Sequence, residues 1–261
     1  MPTVPGIRYN GAMNAHIAER YEEVLERVAQ AARRVGRGPD EITVVSVTKT
    51  WPVDLLLAAY EIGIREFGEN RAEELADKRL ELEGRLGVDT GITWHQIGNL
   101  QSRKTGLVAD QADCFHALDR IKIANRLSDR LVENGRADSR PLPVFLEVNV
   151  SGEASKAGIN CNEWEDDPLQ RENLRKTAVA ITGLPGLQPV GLMTMAPWDV
   201  PSDVVRQVFS RTRKLAEWLK TAVPQADWSH LSMGMTDDFE IAIEEGATHV
   251  RVGRAIFGAR T

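Results

Sequence analysis

Residues 42–52 read ITVVSVTKTWP, and the fold turns on them. Six β-branched residues and one serine run up to Lys49, the composition of a strand covered on both faces. Pro52 suits the first turn of a helix, and VDLLLAAYEIG stops at Gly63, a helix-ending residue. A buried strand that passes straight into a helix begins a parallel α/β fold. Two such folds compete. An open doubly wound sheet usually carries a glycine-rich phosphate loop after its first strand, and TKTWP has no glycine. A closed barrel has no such requirement.

The alternation continues outward from this stretch. Before it, Asn14 to Val35 has a helical pattern, with Ile17, Tyr21, Val24, Leu25, Val28 and Ala32 on one face. After it come a short strand at Arg65–Phe67 and a charged helix from about Arg71 to Leu86. Next are a strand at Ile92–Ile97, a helix near Ser102–Ala109, the strand DCFHALD, and a helix ending at Gly135. LPVFLEVNV is the fifth strand, and a polar loop with GEASKAGI leads to a helix at Pro168–Ile181. LQPVGLMTM is the sixth strand, with a helix capped by Ser202 and running to about Ala222. WSHLSM is the seventh, with a helix at Asp237–Glu245, and THVRVG is the eighth. Eight strand–helix units after one leading helix predict a single (β/α)8 TIM barrel over residues 1–261, with residues 1–13 as a flexible N-terminus.

Bulk composition bounds the function. With 261 residues and 42% hydrophobic content the chain can build one large core. A net charge of -6, with 32 Lys and Arg residues scattered along the chain, argues against nucleic-acid and membrane-surface roles. Cys114 and Cys161 form no C-x-x-C motif, so a reducing, cytoplasmic location is expected. No signal-peptide layout opens the chain, and no apolar run approaches the roughly 18 residues of a membrane span.

In a barrel, chemistry collects at the C-terminal strand ends. Those ends carry Lys49, Glu69 and Asn70, His95, Asn149, Met193 and Met195, Ser232 to Met235, and Arg251 to Arg254. The loops after strands seven and eight, LSMGMTDD and VRVGRA, each hold a glycine that lets backbone approach an anion. One reactive lysine facing a phosphate cradle suits a phosphorylated aldehyde held as a Schiff base. Composition and spacing do not say which aldehyde. Plainer readings stand beside this one. Lys49 can snorkel to solvent, and His95 can be a hydrogen-bonded core histidine. Asn70 can cap a helix, and Met193, Met233 and Met235 can be apolar wall. No metal set is evident in His116, His230 and His249.

At this point the residues resemble the pyridoxal phosphate homeostasis protein family. The stretches VSVTKTWP, FGENRAEE, WHQIGNLQSRKTGLV, EVNVSGEASKAGI, GLMTMAP, LSMGMTDDFEIAIEEGATHVRVG and AIFGAR carry the resemblance from Val45 to Arg260. It implies an alanine racemase-like barrel without that class's second β domain. Pyridoxal 5'-phosphate (PLP) would be the cofactor, held as a Schiff base on Lys49. Asn70 would lie close to it. Ser232 and the backbone around Gly253 and Arg254 would hold the phosphate, and Arg251 would face the pyridine nitrogen. The expected contact set is Lys49, Asn70, His95, Met193, Ser232, Met233, Gly234, Arg251, Gly253 and Arg254. Arg254 departs from the family, where a small hydroxyl residue is common. An arginine there can add charge to the phosphate site or turn to solvent.

The function implied is intracellular PLP homeostasis by a monomer, with PLP-dependent apo-enzymes as recipients and no required turnover. The alternative is a PLP-dependent amino-acid racemase. That enzyme needs an acid–base group opposite the lysine, and the three tyrosines, Tyr9, Tyr21 and Tyr60, lie before or within outer helices. A Schiff-base aldolase ranks lower, because such barrels usually carry their lysine on a later strand. Lys104 and Lys156 are expected at the mouth rim, as a second PLP contact or transfer route.

Overall fold

The computed structural model describes residues 11–259. Helix α1 (Gly11–Arg34) leads into β1 (Thr43–Val47), α2 (Val53–Glu61), β2 (Glu66–Glu69) and α3 (Ala72–Leu86). Then come β3 (Thr93–Gln96), α4 (Thr105–Gln111), β4 (Cys114–Leu118), α5 (Ile121–Glu133) and the single turn α6 (Arg136–Ser139). β5 (Leu142–Asn149), β6 (Ile159–Asn160), α7 (Pro168–Thr182) and β7 (Leu187–Met193) follow. The described chain ends with α8 (Ser202–Ala222), β8 (His230–Met235), α9 (Phe239–Glu244), β9 (His249–Val252) and α10 (Arg254–Phe257).

The strands run parallel in the order β4-β3-β2-β1-β9-β8-β7-β5, and β4 also pairs with β5. Eight strands therefore close a barrel, and the two-residue β6 adds outside β5. An open eight-stranded sheet would have left β4 and β5 as two edges of unpaired backbone; their pairing removes both.

Two cores result. Outside the barrel, apolar strand residues meet the helices. Phe67 and Trp94 pack with ring centroids 5.8 Å apart, and Leu56, Leu75 and Leu82 are fully buried. Each such side chain stabilises the fold by roughly 1.5–3 kcal/mol. α1 closes the outer layer against α2, α9 and α10, burying Ile17, Val24 and Val28. Arg27 pairs with Glu240 at 3.0 Å and Arg34 with Glu244 at 2.7 Å, at the rim of that contact. At Gly191 the strands β7 and β8 come so close that a Cβ would lie 1.7 Å from the His230 carbonyl oxygen. Only glycine permits that pairing.

The inner core is polar. His116 stacks on Phe145 at 4.5 Å, and His249 meets Phe145 edge-on at 5.1 Å. Some expected boundaries move. α1 begins at Gly11, within the stretch expected as a flexible N-terminus, and residues 1–10 lie outside the described residues. The seventh barrel strand runs from His230 to Met235, two residues later than its pattern predicts. Trp228 reads as a strand former, but it is buried with its indole N–H on the Val223 carbonyl at 2.9 Å.

Candidate functional site

Past β1 the chain turns, and Lys49 sits half-buried in that turn. A cavity of about 240 Å³ opens beside it at the C-terminal ends of the strands. Its wall takes Lys49 and Trp51 after β1, Asn70 after β2, and Ile97 to Asn99 after β3. Glu147 on β5, Met195 and Trp198 after β7, and Met235 to Asp237 at the end of β8 continue it. Arg251, Gly253 and Arg254 from β9 and α10 close it. A larger groove of about 850 Å³ lies outside, between α2 and α3. It is walled by the charged side chains of those helices and lacks Lys49, so the smaller cavity is the candidate site.

Five expected contacts meet on this wall: Lys49, Asn70, Arg251, Gly253 and Arg254. Gly98 allows the strand ends to converge. A Cβ there would lie 2.4 Å from the Asn70 carbonyl oxygen. Ser232 stands one hydrogen bond behind the wall, with Arg251 Nη1 donating to its Oγ at 2.6 Å and to its carbonyl at 2.7 Å. Met193 and Met233 are buried away from the wall, and Gly234 (φ +94) faces α9, where a Cβ would meet Ala242 at 2.6 Å. Arg254 pairs with Asp237 at the rim and lies 5.9 Å over the Trp198 ring.

His95 lies deeper, one layer below the cavity. Its Nε2 is 2.6 Å from Glu66 and its Nδ1 is 2.8 Å from His116 Nε2. His116 Nδ1 is in turn 2.7 Å from Ser232 Oγ. Which ring nitrogen donates in each of these contacts follows the tautomers of His95 and His116. Burial holds His116 well below its usual range. The plainer reading of His95, a satisfied core histidine, is therefore its place. The sequence carries no sign of a metal set, yet His95, Cys114 and His116 bring ligand atoms within 4.8 Å of one another. The facing ring nitrogens already hydrogen-bond each other.

Lys104 and Lys156 are off the wall. Lys104 pairs with Glu73 and lines the outer groove. Lys156 Nζ lies 3.9 Å from Glu153 in the loop after β5. Asn149 holds that loop rather than the cavity, donating to the Glu153 carbonyl at 2.9 Å and accepting from Gly152 N at 3.0 Å.

Sequence reasoning misses Glu147, Trp198 and Asp237. A signal for Glu147 exists: it is the one charge inside LPVFLEVNV. Glu147 is buried, accepts from Asn99 Nδ2 at 2.6 Å, and has no partner for its other oxygen. Burial pushes its carboxyl up to about 7, against the pull of Asn99 and Arg251. Burial pushes Arg251 down to about 10, against Asp238 and Glu147, so the pair shares one poorly solvated region.

A pH prediction arises here. Below pH about 4.5 Glu147 is protonated in both folded and unfolded chains, and its raised native value contributes stability. That contribution is lost as pH rises through about 7. Glu147→Gln removes the titration. Its stability relative to the parent, followed by melting temperature, should climb between pH 4.5 and 7 by on the order of 2–3 kcal/mol and then level off. Glu69, also pushed up to about 7 by burial, acts in the same sense, and His249, pushed down to about 3, in the opposite sense. The difference between variant and parent cancels both. A flat difference across the window would refute the assignment.

Comparison with known proteins places the chain. Residues 21–261 match the family described as alanine racemase, N-terminal domain. The pyridoxal phosphate homeostasis protein of Escherichia coli K12 is 43% identical over 247 residues, 94% of this chain and 97% of that one. The structure of PipY from Synechococcus elongatus with PLP bound superposes with a TM-score of 0.75 at 31% identity, covering 93% of this chain and all of that one. Alanine racemase from Corynebacterium glutamicum shares the fold, with a TM-score of 0.60 at 15% identity over 95% of this chain and 61% of that one.

Proposed function

This chain belongs to the pyridoxal phosphate homeostasis protein family, within the alanine racemase N-terminal domain fold, and from that premise we propose that its barrel mouth binds and releases pyridoxal 5'-phosphate. The observation that carries the reading is the single cavity wall that joins Lys49, Asn70, Arg251 and the Gly253–Arg254 turn.

The residues fit that group. Lys49 offers an amine to an aldehyde at the cavity wall. The backbone at Gly253 and Arg254, with the Arg254 guanidinium, offers donors to a phosphate. Arg251 is a buried cation at the end of β9, suited to face a ring nitrogen and keep it unprotonated. Trp51 and Trp198 are apolar walls for a flat ring. When bound, PLP supplies an electrophilic aldehyde and a ring able to withdraw electrons. Arg251 dampens the second property, which suits a carrier better than a racemase. The described tyrosines, Tyr21 and Tyr60, lie on α1 and α2 and not on the wall. Holding and releasing an aldehyde needs no such acid–base pair. The reading extends to a cytoplasmic monomer that hands PLP to apo-enzymes. Among the described residues no helix is long and apolar enough to cross a membrane.

The test is borohydride reduction of the PLP-loaded protein followed by peptide mapping. The expected result is a visible absorbance band lost on reduction and a phosphopyridoxyl mass on the Lys49 peptide. A protein that takes up no added PLP would refute the reading.

A further inference from the structure

Lys49 is delivered to the cavity by a turn that is costly to hold. Thr50, the next residue, has φ 68. Left-handed backbone at a β-branched residue costs about 1–2 kcal/mol, so surrounding contacts must impose it. One buried side chain organises those contacts. Lys78, on α3, is 5% exposed and donates three hydrogen bonds of 2.7 Å: to the Thr48 carbonyl, to Glu69 Oε1 and to Glu74 Oε1. Glu69 Oε1 also accepts from the Thr48 hydroxyl at 2.7 Å. Glu74 Oε1 also accepts from the Thr50 backbone N–H.

The ammonium therefore reaches both sides of Lys49. It holds Thr48 directly and Thr50 through Glu74. It also holds Glu69, the residue before Asn70, so the two segments that bring Lys49 and Asn70 to the wall are tied at one point. Stability alone is a weak reason for this arrangement. Replacing a buried ion pair by apolar groups of similar volume is often neutral or stabilising. Glu69 is fully buried, with its second oxygen unpartnered, and burial pushes its carboxyl up to about 7. The fold keeps a costly pair directly behind its reactive lysine.

We infer that Lys78, with Glu69 and Glu74, is a positioning unit that sets the geometry of Lys49 for attack on an incoming aldehyde. The inference rests on Lys49 being the attachment site. None of the three lines the cavity, so they act through the turn and not on the ligand.

The experiment compares the parent with Lys78→Met/Glu69→Gln, which removes the charges as a pair, and with Glu74→Ala, whose side chain is partly exposed. Four quantities are read: melting temperature of the cofactor-free protein, affinity for inorganic phosphate, rate of PLP capture, and rate of formaldehyde–cyanoborohydride methylation at the Lys49 peptide. The last needs no cofactor. Positioning predicts PLP capture slower by about tenfold or more, with changed Lys49 methylation, while phosphate affinity and melting temperature stay close to the parent. Glu74→Ala should show the same slowing if the double variant does not fold. Parent-like capture in the folded variants would overturn the inference, as would slower capture that tracks a fall in melting temperature. A phosphopyridoxyl mass on another lysine of the parent would instead refute the attachment site itself.

Discussion

Lys49→Ala loses the visible band of the PLP-loaded protein and yields no borohydride-fixed adduct, while its fold is unchanged. Lys49 is half-buried in a turn and lines the cavity, so truncation removes an amine without opening the core. Contacts at Arg251 and at Gly253–Arg254 remain. Two or three charge-assisted hydrogen bonds, at about 1.5–3 kcal/mol each before binding costs, leave a residual affinity in roughly the millimolar range. Equilibrium dialysis at high PLP should detect that residue, and the colour should not return. If the variant kept the full spectrum, another lysine would be the attachment site. Lys104 and Lys156 would then be mapped first, although neither lines the cavity.

What could be read in advance follows the range of the interactions involved. Strand–helix alternation is local, and it carried the eight barrel units and the absence of a glycine loop after β1. Lys49 was legible because a cation after six β-branched residues is anomalous. Arg251 and Gly253 were legible from their place at a strand end. The failures come from properties that closure creates. Glu147 on β5 comes within electrostatic reach of Arg251 on β9 through the β5–β7–β8–β9 pairings, which no local stretch of sequence contains. The chain from Arg251 through Ser232, His116 and His95 to Glu66 crosses five different strands, and no window of sequence contains it. The glycine pattern of LSMGMTDD points Gly234 to the phosphate, whereas at φ +94, beside the register shift between Ser232 and Met235, it packs on α9. The Lys78 unit was hidden because Lys78 sits among the charges of α3, where a lysine ordinarily faces water.

Arg251→Leu should lower stability by about 3–5 kcal/mol, the cost of removing one member of a buried charged network. The guanidinium is 5% exposed and ties three carbonyl or hydroxyl acceptors on two strand ends. Nη1 donates to Ser232 twice, and Nη2 donates to the Thr194 carbonyl at 3.0 Å. Leucine withdraws all three bonds in a site that water reaches poorly, leaving Ser232 with only the Thr194 N–H on its carbonyl and His116 on its hydroxyl. It also removes a positive charge that favours ionisation of Glu147 and Asp238. For a chain of this size each kcal/mol moves the melting temperature by roughly 2–4 °C, so a fall of about 10 °C is expected. Arg251→Lys separates charge from shape. An ammonium keeps the charge near Glu147 but lacks the planar fork that spans Ser232 and Thr194, so it should recover only part of the loss. Adding Glu147→Gln to Arg251→Leu should also recover part of it, because the uncompensated carboxylate is then gone. Additive losses in that double variant would mean that Arg251 and Glu147 are not coupled. An unchanged melting temperature for Arg251→Leu would mean that the cation does not hold the ends of β7 and β8 together.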